Sequence, residues 1–133
     1  MEDYFHVQMT ADQIRGLSSI ALAHLGDAVY ELLVRTWLCA HGAATGKNLH
    51  RATIEQVCAS AQARRAERIY PQLTEEEAAV FRRGRNANVH TIPKSASRKE
   101  YQEATALECL LGYLYLLGRQ ERINELFLMM EEE

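Results

Sequence analysis

The chain is poor in the residues that mark several protein classes. Its 133 residues include only 2 Pro, 7 Gly and 3 Cys. So little Pro and Gly excludes collagen-like and linker-like chains and argues against a turn-rich all-β fold. The cysteines, Cys39, Cys58 and Cys109, are odd in number and show no CxxC or Cys/His spacing. They offer neither a disulfide frame nor a zinc site, and read as small buried apolar residues in a reducing cytosol. No apolar run approaches the ~20 residues of a membrane-spanning helix. The acidic start MEDYFHVQMT lacks the basic block and apolar core of a signal peptide. A cytoplasmic protein without a membrane partner is expected.

What is present is helical pattern. Apolar residues make up 47% and charged residues 25%, the balance of a globular chain. The length suits a single domain over residues 1–133, with a core large enough to need no staple. Thr10 caps a short helix to about Leu17. Ser18 or Ser19 opens a long one to about Ala40, ended by Gly42, with Leu22, Leu25, Val29, Leu32, Leu33 and Trp37 recurring at three and four. Asn48 caps a segment to about Ile69, stopped by Pro71. The pairs Thr74/Glu77 and Ser97/Glu100 form capping boxes for helices to about Arg83 and Leu117, and a last helix covers about Gln120 to Met130. No strand-like alternation occurs, so the fold class is all-α. Residues 84–96, GRNANVHTIPKSA, lack helical period and read as a loop.

The net charge of −3 argues against a nucleic-acid partner until it is divided. From Arg82 to Lys99 lie six basic and no acidic residues, and the rest of the chain carries −9. Arg forks and Lys bind phosphate oxygens, and Asn86, Asn88 and Thr91 add neutral hydrogen bonds. A second basic group is Arg64, Arg65 and Arg68, for which a solvated surface is an equal reading.

Two carboxylates stand in apolar company: Asp27 in LAHLGDAVYELL and Glu108 in ATALECLLGYLYLLG. Carboxylates are seldom buried without a partner. Gly26 and Ala28 beside Asp27, and Ala104 and Gly112 one turn from Glu108, would let two helices approach and bring the acids together. Two acids so held repel unless protonated or bridged by a cation, and oxygen-only ligands favour Mg²⁺ or Mn²⁺. A divalent cation beside a phosphate-binding loop suggests phosphodiester hydrolysis. Spacing alone leaves open that each carboxylate pairs with a nearby Arg or caps a helix. Glu31 reads as an outer ligand or an exposed salt-bridge partner, Glu103 as an outer ligand or solvated surface. His24 reads as packing near the crossing.

Leu25-Gly26-Asp27-Ala28-Val29 resembles the signature helix of the ribonuclease III superfamily. Glu108 within Ala104 to Leu116 resembles its second acidic motif. Arg83-Gly84-Arg85-Asn86-Ala87 followed by Pro93-Lys94, and Leu49-His50-Arg51-Ala52-Thr53 with Gln62-Ala63, resemble the compact mini-ribonuclease III branch. The resemblance implies a ribonuclease III endonuclease-like helical domain acting as a homodimer. It implies Mg²⁺-dependent cleavage of double-stranded RNA to 5′-phosphate and 3′-hydroxyl ends, in the maturation of precursor 23S ribosomal RNA, with a ribosomal protein as a possible helper. By that resemblance Asp27 and Glu108 are the catalytic metal ligands. From the basic window, Arg83, Arg85, Asn86, Lys94 and Arg98 are the residues expected to contact RNA. The length leaves no room for the RNA-binding domain of larger relatives. Where those carry two further acids, this chain has Ala23 and Thr105. Water or substrate phosphate then completes the shell.

Three other readings compete. A non-catalytic helical RNA-binding or ribosome-associated module needs the basic loop but not the acids, so metal dependence separates it. A helical nucleotide pyrophosphatase needs clustered acidic pairs, for which only Glu75 to Glu77 offer themselves, and capping explains those better. A pure scaffold leaves the acid-free window and mid-helix Asp27 unexplained.

Overall fold

The computed structural model describes residues 2–42, 45–87 and 97–131. Among them are seven α-helices and one 3-10 turn, with no strand: α1 (Ala11–Arg15), α2 (Ser19–His41), α3 (Gly46–Val57), α4 (Ala59–Ile69), the turn Tyr70–Gln72, α5 (Glu75–Arg85), α6 (Arg98–Leu116) and α7 (Gln120–Glu131). None of the described helices is long and apolar enough to cross a membrane.

Local chemistry sets most of the helix starts. The Thr10, Thr74 and Ser97 hydroxyls accept from the amides of Gln13, Glu77 and Glu100. The side chains of those three residues accept in return from the cap amides. Ser18 caps α2 alone, accepting from the Ala21 amide at 3.0 Å. Gly42 closes α2 at φ +57, a conformation that disfavours any side chain.

The expected segment from Asn48 to Ile69 is two helices, not one. It begins at Gly46, because the Thr45 carbonyl accepts from both the Asn48 and Leu49 amides and so closes the first turn earlier. It breaks at Cys58, which is extended at ψ 157. No Pro or Gly marks the break. A side-chain bond five residues along stabilises it: the Gln62 side chain donates to the Val57 carbonyl at 2.8 Å, a group that the end of α3 leaves open.

The centre of the molecule is α6, buried on nearly every side from Glu103 to Leu114 and flanked by α2, α4, α5 and α7. The buried face of α2 is Leu22, Gly26, Tyr30, Val34 and Leu38. The stripe read from sequence is mostly the neighbouring face. Val29, Leu33 and Trp37 are half-buried against the core, and Leu32 is 57% exposed. Glycine and tyrosine at the closest contact carry little hydrophobic signal, whereas the neighbouring Leu/Val stripe is stronger but mostly only half-buried. Of the three cysteines only Cys109 is buried. Cys39 is exposed and Cys58 intermediate, so the expectation of three buried thiols is corrected. Cys39 lies near the open end of α2, and Cys58 at the helix break.

Polar ties hold the periphery. Glu77, 2% exposed, is both a capping-box acid and the partner of Arg122 at 2.9 Å. Arg119 and the Tyr113 hydroxyl both bind Glu76. The N-terminal segment lies against α6 and α7 through Met9 N–H to Leu116 O, the Tyr115 hydroxyl to Tyr4 O, and Gln120 to Phe5 O.

Candidate active site

The site is made by the crossing of α2 and α6. A Cβ on Gly26 would lie 1.6 Å from the Glu108 carbonyl oxygen, and one on Gly112 would lie 2.1 Å from that of Leu22. Each glycine therefore admits the backbone of the other helix. That contact is the close approach the small residues predict. It sets Asp27, next to Gly26, against Glu108, one turn from Gly112. Both carboxylates line one cleft of about 220 Å³ with Ile20, Ala23, His24, Tyr101 and Thr105.

Asp27 is exposed and Glu108 half-buried. Burial, and then the charge of Asp27 beside it, pushes the Glu108 carboxyl up from 4.5 to about 8. The neighbouring Asp27 carboxyl also favours the protonated form of Glu108 as a hydrogen-bond partner, a smaller cause than burial and charge. A cation between them would relieve the same repulsion. The Gln62 amide nitrogen donates to Glu108 Oε2 at 3.3 Å from α4 and opposes the rise.

Ala23 and Thr105 both face the cleft. Ala23 supplies no ligand, and the Thr105 hydroxyl donates to the Tyr101 carbonyl at 2.9 Å within its own helix. Among the described residues no group of three or more His, Cys, Asp and Glu could hold a metal. The donors are thus two hard carboxylate oxygens at an open cleft. That set fits Mg²⁺, which commonly takes one or two carboxylates and fills its octahedron with water and substrate phosphate. His24 is exposed at the rim, not packed in the crossing as expected. It points outward because the buried line of α2 passes through Ala23 and Gly26. Glu31 pairs with Arg35 at 2.9 Å.

The candidate RNA-contact residues divide into two kinds. Arg83, Asn86 and Arg98 are exposed, and the two arginines take no ion pair among the described residues. Arg98 opens α6 one turn before Tyr101 of the cleft. The last turn of α5 lies on α6 at Ala106 and Cys109, where Gly84 makes room, level with the Glu108 turn. Arg85 differs: it pairs with Glu103 at 3.4 Å and sits over the Tyr70 and Phe81 rings. Glu103 is 7% exposed, so its reading as solvated surface is corrected. The acid-free window finds its acid from α6 in three dimensions. Lys94, with Asn88 and Thr91, lies outside the described residues. In the second basic group, Arg65 is tied to the Tyr30 hydroxyl, Gln56 and Glu131, and Arg68 to the Met130 carbonyl, leaving Arg64 exposed.

Sequence reasoning gives Gln62 no chemistry. The signal that could have found it is a large polar side chain between Ala61, Ala63 and Ala66, all of them buried.

The ribonuclease III domain family matches residues 20–119, which span both carboxylates and the basic turn of α5. The mini-ribonuclease 3 of Symbiobacterium thermophilum is 48% identical over 109 residues, 82% of this chain and 84% of that protein. The mini-ribonuclease 3 of Clostridium tetani is 41% identical over 128 residues, 95% of this chain and 85% of that protein. A crystal structure of a Fusobacterium nucleatum protein superposes with a TM-score of 0.81 at 34% identity, covering 88% of this chain and 93% of that one. Sequence, fold and the matched span agree that the chain belongs to the mini-ribonuclease 3 branch of the ribonuclease III family and is an endoribonuclease.

Proposed function

We propose that the chain is one catalytic domain, residues 1–133, that cuts double-stranded RNA as a Mg²⁺-dependent homodimer. The reading extends to the ends of precursor 23S ribosomal RNA in the cytoplasm, with a ribosomal protein as helper. The observation that carries it is the convergence of Asp27 and Glu108 from two helices at one cleft.

In this reading Asp27 and Glu108 hold the metal. When bound, Mg²⁺ supplies a Lewis acid for the scissile phosphate and lowers the pKa of a water. Asp27, on the exposed side, faces incoming RNA, while Glu108 anchors the site from the protein side. Arg83, Arg98 and Lys94 bind backbone phosphates, and Asn86 adds a neutral hydrogen bond to phosphate or ribose. Arg85 contributes from a fixed place, since Glu103 and two rings hold its guanidinium. A-form RNA is read by shape, phosphate and 2′-hydroxyl, so weak sequence preference is expected. The homodimer is supported by the outer face of α2. Val29, Leu32, Leu33, Phe5 and Tyr115 line an apolar groove there, with Phe5 74% exposed. One active centre per subunit then cuts one strand each.

The test is cleavage of a structured duplex RNA in Mg²⁺ by the wild type, Asp27→Asn and Glu108→Gln, with 5′-phosphate ends scored on the products. Each variant should lose at least ~100-fold in kcat while keeping the helical circular-dichroism spectrum. Wild-type cleavage by either variant refutes the assignment, and cleavage undiminished in EDTA refutes the metal.

A further inference from the structure

Gln62 reaches the carboxylate pair from a third helix. It sits in the first turn of α4 and is 3% exposed. Its amide nitrogen donates to the Val57 carbonyl at 2.8 Å and to Glu108 Oε2 at 3.3 Å. A primary amide has two such protons, and both are used. The Val57 carbonyl can only accept, so the nitrogen, not the oxygen, must face it. The orientation of the amide is therefore fixed by its surroundings. Its oxygen is left buried with no hydrogen-bond partner among the described residues.

That orphan acceptor is costly to the fold, and Leu or Met would fill the same space without it. Closing α3 at Val57 needs only one of the two protons. The other goes to Glu108, on an element that α3 does not require.

We infer that Gln62 is a positioning residue: its second N–H holds one Glu108 oxygen, so that the carboxylate keeps a single orientation towards Asp27 and the cleft. The inference rests on the proposed reading of Asp27 and Glu108 as the metal-holding pair. With acids absent at positions 23 and 105, few groups remain to orient Glu108. Thr105 is turned to its own helix and Ala23 has nothing to offer. The amide is neutral, so it can orient the carboxylate without adding a third negative charge to a pair that already repels. Partners of this kind typically govern metal affinity or activity by 10- to 100-fold.

The experiment compares the full-length wild type with Gln62→Met, Gln62→Leu, Asp27→Asn and Glu108→Gln. Mn²⁺ alone is titrated by electron paramagnetic resonance, and kcat and KM are measured on duplex RNA. Circular dichroism and melting temperature report the fold. Gln62→Met should melt near the wild type, bind Mn²⁺ roughly 10- to 100-fold more weakly, and lose kcat by a similar factor with KM for RNA unchanged. A folded Gln62→Met with wild-type Mn²⁺ affinity overturns the inference. So does a rise in KM without loss of kcat. Failure of both Gln62→Met and Gln62→Leu to fold also overturns it, by assigning the amide to the α3–α4 joint. If Asp27→Asn and Glu108→Gln bind Mn²⁺ like the wild type, the metal-site reading itself fails. If they lose Mn²⁺ while Gln62→Met keeps it, only the role of Gln62 fails.

Discussion

Replacing Glu108 by Gln should stabilise the metal-free protein even as it removes activity. In the folded chain the Glu108 carboxyl is pushed up to about 8 from 4.5, first by burial and then by Asp27. The folded state thus holds a proton that the unfolded state has released between those two values. Stability is complete below the unfolded pKa and falls as pH rises through the folded one, because the unfolded chain binds fewer protons there. At ~1.4 kcal/mol per pKa unit the whole shift corresponds to about 4–5 kcal/mol above pH 8. Asp27 is exposed and water screens the charge between the two groups, so about 1–3 kcal/mol is the expected share. Glutamine is isosteric and uncharged and escapes this cost. The assay is thermal unfolding in EDTA at pH 5 and pH 8. Glu108→Gln should melt higher than the wild type by on the order of 5 °C at pH 8, with most of that gap gone at pH 5. Added Mg²⁺ should narrow the gap at pH 8, since only the wild type gains from binding it. A variant that melts at or below the wild type at pH 8 in EDTA refutes the reasoning, because the carboxyl would then carry no strain for glutamine to relieve.

Other consequences follow from the crossing and the basic surface. Gly26→Ala should cost about 3 kcal/mol or more, since its Cβ would lie 1.6 Å from a backbone oxygen that cannot yield. Helix propensity alone favours alanine by ~1 kcal/mol, so a melting temperature at or above the wild type would show that the helices do not cross so closely. Arg83→Ala and Arg98→Ala should weaken duplex RNA binding at low salt and flatten the logarithmic salt dependence by about one unit each, with melting unchanged. Arg85→Ala should also lower the melting temperature, because it leaves Glu103 buried and unpaired. Equal melting of the Arg83 and Arg85 variants, followed by differential scanning fluorimetry, would contradict the distinction between free and tied arginines.

Several features were legible because their causes are local. A helix cap is written within four residues, so Thr10, Thr74 and Ser97 announce their helices and each is found in place. The helical period of the apolar residues, with so little Pro and Gly, settles the all-α class. Gly26 and Gly112 suggest a close helix crossing, because small residues inside apolar helices let two backbones approach. That Asp27 meets Glu108 there is visible only in the packed structure.

What the sequence by itself determined, then, is the all-α class, five of the seven described helices with most of their ends, and two carboxylates within apolar helices. The tertiary structure decided which face of α2 is buried, since backbone-to-backbone contact through glycine outweighs the stronger Leu/Val stripe beside it. It decided that Arg85 is tied to Glu103 and Arg83 is not, a difference of direction between neighbours on one turn that charge counting cannot see. It also decided the break at Cys58 and the reach of Gln62 to Glu108, 46 positions apart. A hydrogen bond across that separation has no local signature. It exists only once α4 is laid against α6.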